Sequence, residues 1–181
     1  STHGIGKKTA EEFLGHGWEV YGCGSSREDV RGPQMAEKYT DFHFMCADVS
    51  DENEVEGLLS WCGNIDAAFN NAGIGWAPSL AHHMDIKAAG RILEVNLLVT
   101  ALCMKHECRA MLKGSGGAIL NNSSVAAYKA GTGADGMYSA SKAGILRLTA
   151  EAGACEEYRG KIKFFSVIPG WIETRMTAMD D

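Results

Sequence analysis

Proline, long apolar runs and internal repeats are scarce or missing in this chain. It has only 3 prolines in 181 residues, and no linker or low-complexity segment divides it. With 45% hydrophobic and 22% charged residues, residues 1–181 are predicted to form a single globular domain with an adequate core. There is no stretch of about eighteen apolar residues, and the first residues lack the layout of a signal peptide. We therefore expect a cytoplasmic protein with no membrane partner.

Basic clusters and paired metal ligands are missing as well. The net charge is -6 and no run of Lys or Arg occurs, which argues against general nucleic-acid binding. The 6 cysteines contain no C-x-x-C pair, so buried, reduced thiols are favoured over disulfides or zinc ligands. The only histidine pair, His82 and His83, is adjacent in sequence, and its side chains should point in different directions. We expect no metal site.

Hydrophobic periodicity indicates an α/β fold, because short apolar runs alternate with helical patterns along the chain. Helices are predicted between the runs, including one long helix over residues 90–112. This alternation predicts a doubly wound, mostly parallel sheet with helices on both faces, a three-layer α/β/α arrangement. Five apolar runs are predicted as strands: Trp18–Cys23, Phe42–Val49, Ile65–Gly73, Gly116–Ser124 and Lys161–Gly170.

Polar residues and glycines end the predicted strands. Right-handed crossovers bring the carboxyl ends of parallel strands to one edge of a sheet, where doubly wound proteins bind ligands. We therefore expect the functional residues at that edge. The strand-end residues are Gly24-Ser25, Asp48-Val49, Asn71-Ala72-Gly73, Ser123-Ser124 and Pro169-Gly170.

The chain starts with STHGIG, directly before a helical pattern. Gly4 and Gly6 lack the Cβ atom that would keep a phosphate away from the amides at a helix start. Two glycines alone are more often an ordinary turn, and a strand usually precedes a phosphate-binding turn. The sequence shows no strand before this one, so the turn indicates a dinucleotide only together with other motifs.

The segment YSASK places Tyr138 and Lys142 four residues apart, on one face of a helix. Such a pair can be purely structural, because on many amphipathic helices the phenol packs and the ammonium reaches solvent. This pair, however, follows a strand that ends in Ser123-Ser124. A nearby cation would lower the pKa of a phenol by roughly 1 to 3 units. The residues are therefore candidates for acid/base chemistry on a substrate oxygen held by a serine hydroxyl.

Six motifs, in order, resemble the classical short-chain dehydrogenase/reductase family. They are HGIG, NNAG, VNL, NNSSVAA, YSASK and PGWIET, and glucose-dehydrogenase-like and ketoacyl-reductase-like members are the most similar. The resemblance implies a Rossmann-like NAD(P)-binding domain. It also implies an oxidoreductase that moves a hydride between a nicotinamide cofactor and a small secondary alcohol or ketone. Family members commonly form dimers or tetramers through their long helices, so we expect a homodimer or homotetramer.

The resemblance assigns roles to individual residues. Tyr138 is the expected acid/base, Lys142 lowers its pKa and binds the nicotinamide ribose, and Ser124, rather than Ser123, orients the substrate oxygen. Asn96 is expected to support a water-mediated proton relay. The asparagines of NNAG can instead serve mainly to tie strands together. Besides Tyr138 and Lys142, the expected cofactor-binding residues are Thr2, His3, Gly4, Ile5, Gly6, Ser25, Asp48, Val49, Asn71, Ala72, Gly73, Pro169, Gly170, Ile172 and Thr174.

The cofactor preference depends on the residues after the strand Trp18–Cys23. An acidic residue there would accept hydrogen bonds from a free ribose 2′-hydroxyl and repel a 2′-phosphate. This chain has Gly24, Ser25, Ser26 and Arg27 at that point. Small hydroxyls and a guanidinium suit a phosphate, so NADP(H) is preferred and NAD(H) is the alternative. Arg27 as an ordinary solvated residue is the competing interpretation.

Two further interpretations concern the chain as a whole. The resemblance implies that a strand and a first glycine precede residue 1 and that a substrate-binding part follows residue 181, a fold truncated at both ends. The chain made alone would then be poorly soluble or catalytically incompetent, and would at most bind dinucleotide. Sugar-nucleotide epimerases and dehydratases share the tyrosine and lysine pair. Their last two glycines lie three apart, however, whereas Gly4 and Gly6 lie two apart.

Overall fold

The computed structural model of the chain describes residues 2–75, 81–132 and 134–174. The chain divides into two compact units, Ser1–Cys62 with Ile172–Asp181, and Gly63–Trp171. The α-helices of the described residues are α1 (Gly4–Gly15), α2 (Arg31–Lys38), α3 (Glu52–Cys62), α4 (Ile86–Leu93), α5 (Val99–Lys113) and α6 (Gly136–Ala154). The strands are β1 (Val20–Gly24), β2 (Phe42–Cys46), β3 (Ala67–Asn70), β4 (Gly117–Asn122) and β5 (Ile162–Val167).

The first unit contains α1 to α3 around a two-stranded parallel sheet of β1 and β2. Its core is formed by Ala10 of α1, Met35 of α2 and Phe42 of β2, each 5% exposed or less. Helix α2 approaches β2 closely at Gly32, where an added Cβ would lie 2.4 Å from the Phe44 ring. The missing side chain therefore allows α2 to cover the sheet.

The second unit is built on a three-stranded parallel sheet in the order β3-β4-β5. Asn70 of β3 lies opposite Asn121 of β4, and Asn122 lies opposite Val167 of β5. Helices α5 and α6 pack on these strands, and the buried core comprises Met104, Cys108, Met111, Ile119 and Ile162. The carboxyl ends of β3 and β4 therefore lie side by side, with polar residues at both.

Parallel strands flanked by helices confirm the predicted α/β class, and each predicted strand is present in a shorter form. The long helix expected over residues 90–112 differs from the expectation. It consists of α4, a π-helical segment Glu94–Leu98 and α5. The π segment is centred on Asn96, which is fully buried and hydrogen-bonded outside its own helix. A tertiary contact thus changes the helical period at this point.

None of the 6 cysteines forms a disulfide; Cys103 and Cys108 are buried as expected, whereas Cys46 is exposed. Within residues 2–75, 81–132 and 134–174, no three His, Cys, Asp or Glu side chains come together in a way that could hold a metal ion. The same part of the chain contains no helix of the length and apolar character needed to cross a membrane.

Candidate active site

Tyr138 and Lys142 both lie on α6, one helical turn apart, and Asp135 begins that helix. The Asp135 carboxylate, 4% exposed, accepts hydrogen bonds from Met137 N at 2.8 Å and Tyr138 N at 3.3 Å. These bonds satisfy two of the free amides at the helix start. The cap therefore fixes the backbone from which the Tyr138 side chain projects.

Lys142 is buried, with 3% of its surface exposed. Its Nζ donates a hydrogen bond to the main-chain oxygen of Asn122 at 2.8 Å and lies 5.6 Å from the centre of the Tyr138 ring. The Ser123 hydroxyl donates to the Lys142 main-chain oxygen at 2.8 Å. Burial lowers the pKa of Lys142 to about 8, because removing an ammonium from water disfavours its charged form.

The pKa of Tyr138 differs in direction from the expectation. Burial of the phenol raises its pKa, and a hydrogen bond with Ser124 acts in the opposite direction without cancelling the effect. The predicted lowering by Lys142 is not found, and Lys142 is not among the groups that shift this pKa. Tyr138 is thus protonated at neutral pH and has a proton to donate.

The two serines that follow β4 have different surroundings. Ser123 is 3% exposed and its hydroxyl is bonded to the backbone of α6. Ser124 is half-buried, its Oγ accepts a hydrogen bond from Ala126 N at 3.2 Å, and it reaches the Tyr138 phenol. Ser124 is therefore the serine beside the acid/base candidate, which supports its choice over Ser123.

The Asn96 side chain ties the loop after β3 to α6. Its Oδ1 accepts from Ile74 N at 2.8 Å, and its Nδ2 donates to Ile74 O at 2.9 Å and to Ser141 Oγ at 3.1 Å. Ser141 Oγ donates in turn to Tyr138 O at 2.7 Å. Asn96 thus positions this part of the site, and its expected part in a proton relay stays a prediction.

The loop after β3 brings Asn71 and Gly73 to the same place. Asn122 Nδ2 donates to Asn71 Oδ1 at 2.9 Å. A Cβ added at Gly73 would lie 3.2 Å from Asn96 Oδ1 and 3.5 Å from Lys142 Nζ, so the glycine allows a close approach. Asn71, Gly73, Asn96, Lys142 and Asn122 therefore surround one small polar region. The remaining residue of the motif, Ala72, is exposed between them.

The segment that follows β5 lies beside the residues that follow Ser124. Pro169 O accepts a hydrogen bond from Val125 N at 3.0 Å, which fixes this segment beside the one that follows Ser124. Gly170 is exposed. The predicted residues Pro169 and Gly170 are therefore held next to the catalytic candidates.

The glycine turn belongs to the first unit. Gly4 begins α1 with a φ of 54°, a left-handed conformation that favours glycine, and a Cβ there would lie 3.5 Å from Thr174 Cγ2. His3 is the N-cap but makes no capping hydrogen bond through its side chain. Thr2 is 4% exposed and its hydroxyl donates to Asp29 Oδ2 at 3.0 Å. The amides at the start of α1, including those of Ile5 and Gly6, are of the kind that holds phosphates.

The other predicted cofactor residues of this unit have varied surroundings. Ser25 is exposed, and Val49 is half-buried after β2. The carboxylate of Asp48 accepts from Ser50 N at 2.9 Å and Ser50 Oγ at 2.7 Å, so one of its oxygens shapes the turn into α3. Ile172 is 43% exposed. Their roles toward a cofactor stay predictions.

The residues present fit a nicotinamide dinucleotide. The first unit has a glycine turn at a helix start, which suits phosphates. The second unit has a glycine beside a buried ammonium, together with a buried amide oxygen, Asn122 Oδ1, that accepts no hydrogen bond from any residue described. These features suit a ligand rich in hydroxyls and negative charge.

Four residues that matter here carry no role in the sequence-based assignment. Asp135 could have been found, since an Asp directly before a helical pattern is a typical N-cap. Ser141 lies inside the YSASK motif, but the sequence does not indicate a role for it. Asn122 contacts Asn71, which is 51 residues away, and Asp29 contacts Thr2, which is 27 residues away. No local sequence pattern predicts either contact.

Comparisons with known proteins show which family the chain resembles. A family model described as short chain dehydrogenase matches residues 1–181. The uncharacterized oxidoreductase YxbG of Bacillus subtilis is 36% identical over 94% of this chain and 64% of its own length. The cis-4-hydroxycyclohexanecarboxylate dehydrogenase of Sinomonas cyclohexanicum is 36% identical over 72% of this chain and 53% of its own length.

Among solved structures, ElxO with NADP bound is similar with a TM-score of 0.87 and 30% identity, over 96% of this chain and 72% of that chain. Together with the parallel strands and flanking helices, this similarity confirms the predicted Rossmann-like α/β fold. The chain spans between 53% and 72% of the length of these three proteins.

Proposed function

Because the chain belongs to the short-chain dehydrogenase/reductase family, we propose that its protein transfers a hydride between NADP(H) or NAD(H) and a secondary alcohol or ketone. The observation that carries this proposal is the grouping of Tyr138, Lys142 and Ser124 in one unit. A buried ammonium, a protonated phenol and a half-buried hydroxyl meet there. This is the set of groups that a carbonyl oxygen needs when it gains a proton.

The chain's own residues would handle the substrate oxygen. A bound nicotinamide supplies or accepts the hydride. In carbonyl reduction, the Tyr138 O–H donates its proton to the oxygen of the ketone, while the Ser124 hydroxyl donates a hydrogen bond to the same oxygen. The Lys142 ammonium stabilises the phenolate that forms. In alcohol oxidation, the phenolate takes the proton back.

Each unit, taken by itself, has groups that would contact part of a dinucleotide. Amides at the start of α1, from Gly4 to Gly6, would hold phosphate oxygens. In the second unit, Asn71 to Gly73 and Lys142 would contact the ribose groups, and Pro169 and Gly170 the nicotinamide end. That the chain forms one binding domain, is cytoplasmic and assembles as a homodimer or homotetramer stays a prediction.

The reaction is tested by following the hydride. NADPH carrying two deuterium atoms at nicotinamide C4 is incubated with the protein and a panel of ketones and aldose sugars, and product deuteration is measured by mass spectrometry. We expect deuterium on the carbon that bore the carbonyl, with oxidation of NADPH in equal amount. NADPH oxidation without deuterated product, or deuterium lost to water, would contradict hydride transfer to a carbonyl.

The preference for NADP(H) is tested by titration. Ser25, Ser26 and Arg27 are exposed after β1, and the nearby Asp29 carboxylate is already engaged by Arg31 at 2.7 Å and by Thr2. Asp29 is therefore less available to a ribose hydroxyl. We expect NADPH to bind about 10-fold tighter than NADH, a ratio typical of one charge-assisted hydrogen bond.

The variant Arg27→Ala should bring this ratio close to one, measured by the change in cofactor fluorescence. Lys163→Ala, on the exposed side of β5, is the matched control and should leave the ratio unchanged. Tighter binding of NADH by the unaltered protein would overturn the preference.

A further inference from the structure

Asn122, the last residue of β4, is held between the loop after β3 and the candidate catalytic lysine. Its Nδ2 donates to Asn71 Oδ1 at 2.9 Å, and its main-chain oxygen accepts from Lys142 Nζ at 2.8 Å. Only 9% of Asn122 is exposed. These two hydrogen bonds fix the position of Asn122, and one polar atom of its side chain remains without a hydrogen bond from any described residue.

That atom is Asn122 Oδ1. It is buried, and within the part of the chain that the structure describes it is the side-chain atom for which no donor is present. The neighbouring Asn121 provides a contrast, because its Oδ1 accepts from Asn70 Nδ2 and its Nδ2 donates to Thr149 Oγ1, both at 2.9 Å. A buried amide oxygen without a donor costs free energy, so folded proteins nearly always pair it. A donor for Asn122 Oδ1 therefore has to come from outside the residues that the structure describes, and a bound ligand can supply it.

The chemistry of the surroundings favours an O–H group as the donor. Lys142 Nζ, which has three protons and uses one on Asn122 O, can donate to a ligand at the same place. A hydroxyl can accept from Nζ and donate to Asn122 Oδ1 at once, whereas an amide nitrogen only donates. Gly73 leaves room beside the ammonium, because it has no side chain.

We propose that Asn122 Oδ1 accepts a hydrogen bond from a hydroxyl of the nicotinamide-side ribose of the bound dinucleotide. This inference rests on the proposed function, since it assumes that the dinucleotide binds. It adds a binding residue, placed by β4 and oriented by Asn71. Asn122 touches the cofactor and not the substrate oxygen, so it acts on cofactor affinity.

The experiment compares NADPH with two analogues that lack either the 2′- or the 3′-hydroxyl on the nicotinamide-side ribose. Dissociation constants are measured by fluorescence titration for the unaltered protein and for Asn122→Leu. We expect one analogue to bind the unaltered protein about 10-fold more weakly than NADPH, the effect of one lost hydrogen bond. In Asn122→Leu, NADPH itself should weaken, and its advantage over the same analogue should fall well below 10-fold, because only the hydrogen bond from Lys142 Nζ then remains to be lost.

Several outcomes separate the alternatives. Equal binding of NADPH and both analogues by the unaltered protein would overturn the proposal without any variant. A ratio that stays near 10-fold in Asn122→Leu would assign the hydroxyl to another residue. Asn121→Leu is the structural control and should keep the ratio of the unaltered protein, and Asn122→Ala replaces Asn122→Leu if that variant does not fold. Absence of binding for both NADPH and NADH would instead refute the proposed function.

Discussion

Replacing Tyr138 by phenylalanine is expected to lower kcat/KM for carbonyl reduction by about 10²- to 10⁴-fold, the usual contribution of a positioned general acid. The substitution removes only the phenolic oxygen. Burial raises the pKa of Tyr138, so the hydroxyl is protonated at neutral pH and is the proton source that the variant lacks. The affinity for NADPH should change far less, because Lys142 and the loop after β3 stay in place.

Steady-state kinetics over a pH range would test this assignment. In the unaltered protein, reduction should be constant through neutral pH and should decline above about pH 8, where Lys142 loses its charge. Tyr39→Phe, in the first unit, is a matched control that removes a hydroxyl outside the candidate site and should keep the full rate. Equal rates for Tyr138→Phe and the unaltered protein would remove Tyr138 from its role.

The architecture could be predicted from apolar runs, because burial of alternating strands and helices leaves a strong periodic pattern. Four of the five strand ends were predicted too far along the chain, whereas β1 ends one residue beyond the predicted Cys23. Asn71 and Gly73 directly follow an apolar run, yet neither belongs to β3. The Asn71 side chain is hydrogen-bonded to Asn122, and Gly73 allows Lys142 to approach closely. The amino acids around these positions do not show that their contacts are with distant residues and no longer with the neighbouring strand.

The π segment Glu94–Leu98 is a second feature that the sequence does not predict. Its sequence continues the apolar spacing of a helix, so an unbroken helix is the natural prediction. The Asn96 side chain instead bonds to both main-chain groups of Ile74, which lies 22 residues earlier. The contact that changes the helix comes from another part of the chain, and no pattern within the helix shows it.

The order of the motifs predicts which residues form the candidate site, but it does not predict the direction of the Tyr138 pKa shift. The spacing of Tyr138 and Lys142 predicts that they are neighbours, and the structure places the ammonium 5.6 Å from the ring centre. The direction of the Tyr138 pKa depends on how much water the fold removes around the phenol. Burial is a property of the whole fold, which explains why a local argument from one cation predicted the wrong direction.

A buried carboxyl group outside the catalytic set provides the second large prediction. Glu107 of α5 is 6% exposed, and its Oε2 accepts a hydrogen bond from Asn70 Nδ2 at 2.9 Å. Asn70 Nδ2 also donates to Asn121 Oδ1, so the carboxyl group is connected to the ends of β3 and β4. Burial raises the pKa of Glu107 from 4.5 to about 7, although the bond from Asn70 favours the ionised form.

The sign of the effect on stability follows from proton binding. Between about pH 4.5 and 7 the folded protein keeps a proton on Glu107 that the unfolded chain has lost, so rising pH favours unfolding across this range. At 1.36 kcal/mol per pH unit, the folded state has lost about 3 kcal/mol by pH 8. Glu107→Gln, which has no charge at any pH and keeps an oxygen for Asn70, should escape this loss.

Urea unfolding of the protein and of Glu107→Gln at pH 5, 6, 7 and 8 would measure the difference. We expect the free energy of unfolding of the variant to rise relative to the unaltered protein by roughly 2 to 3 kcal/mol from pH 5 to pH 8, since a small part of the loss has already occurred at pH 5. Glu56→Gln on the exposed face of α3 is the matched control, because it makes the same chemical change outside the core. A difference for Glu107→Gln that is independent of pH would show that Glu107 ionises like an exposed carboxyl group. Its place between β3, β4 and α5 would then have to supply water or further hydrogen-bond donors to the carboxylate, because both stabilise the ionised form.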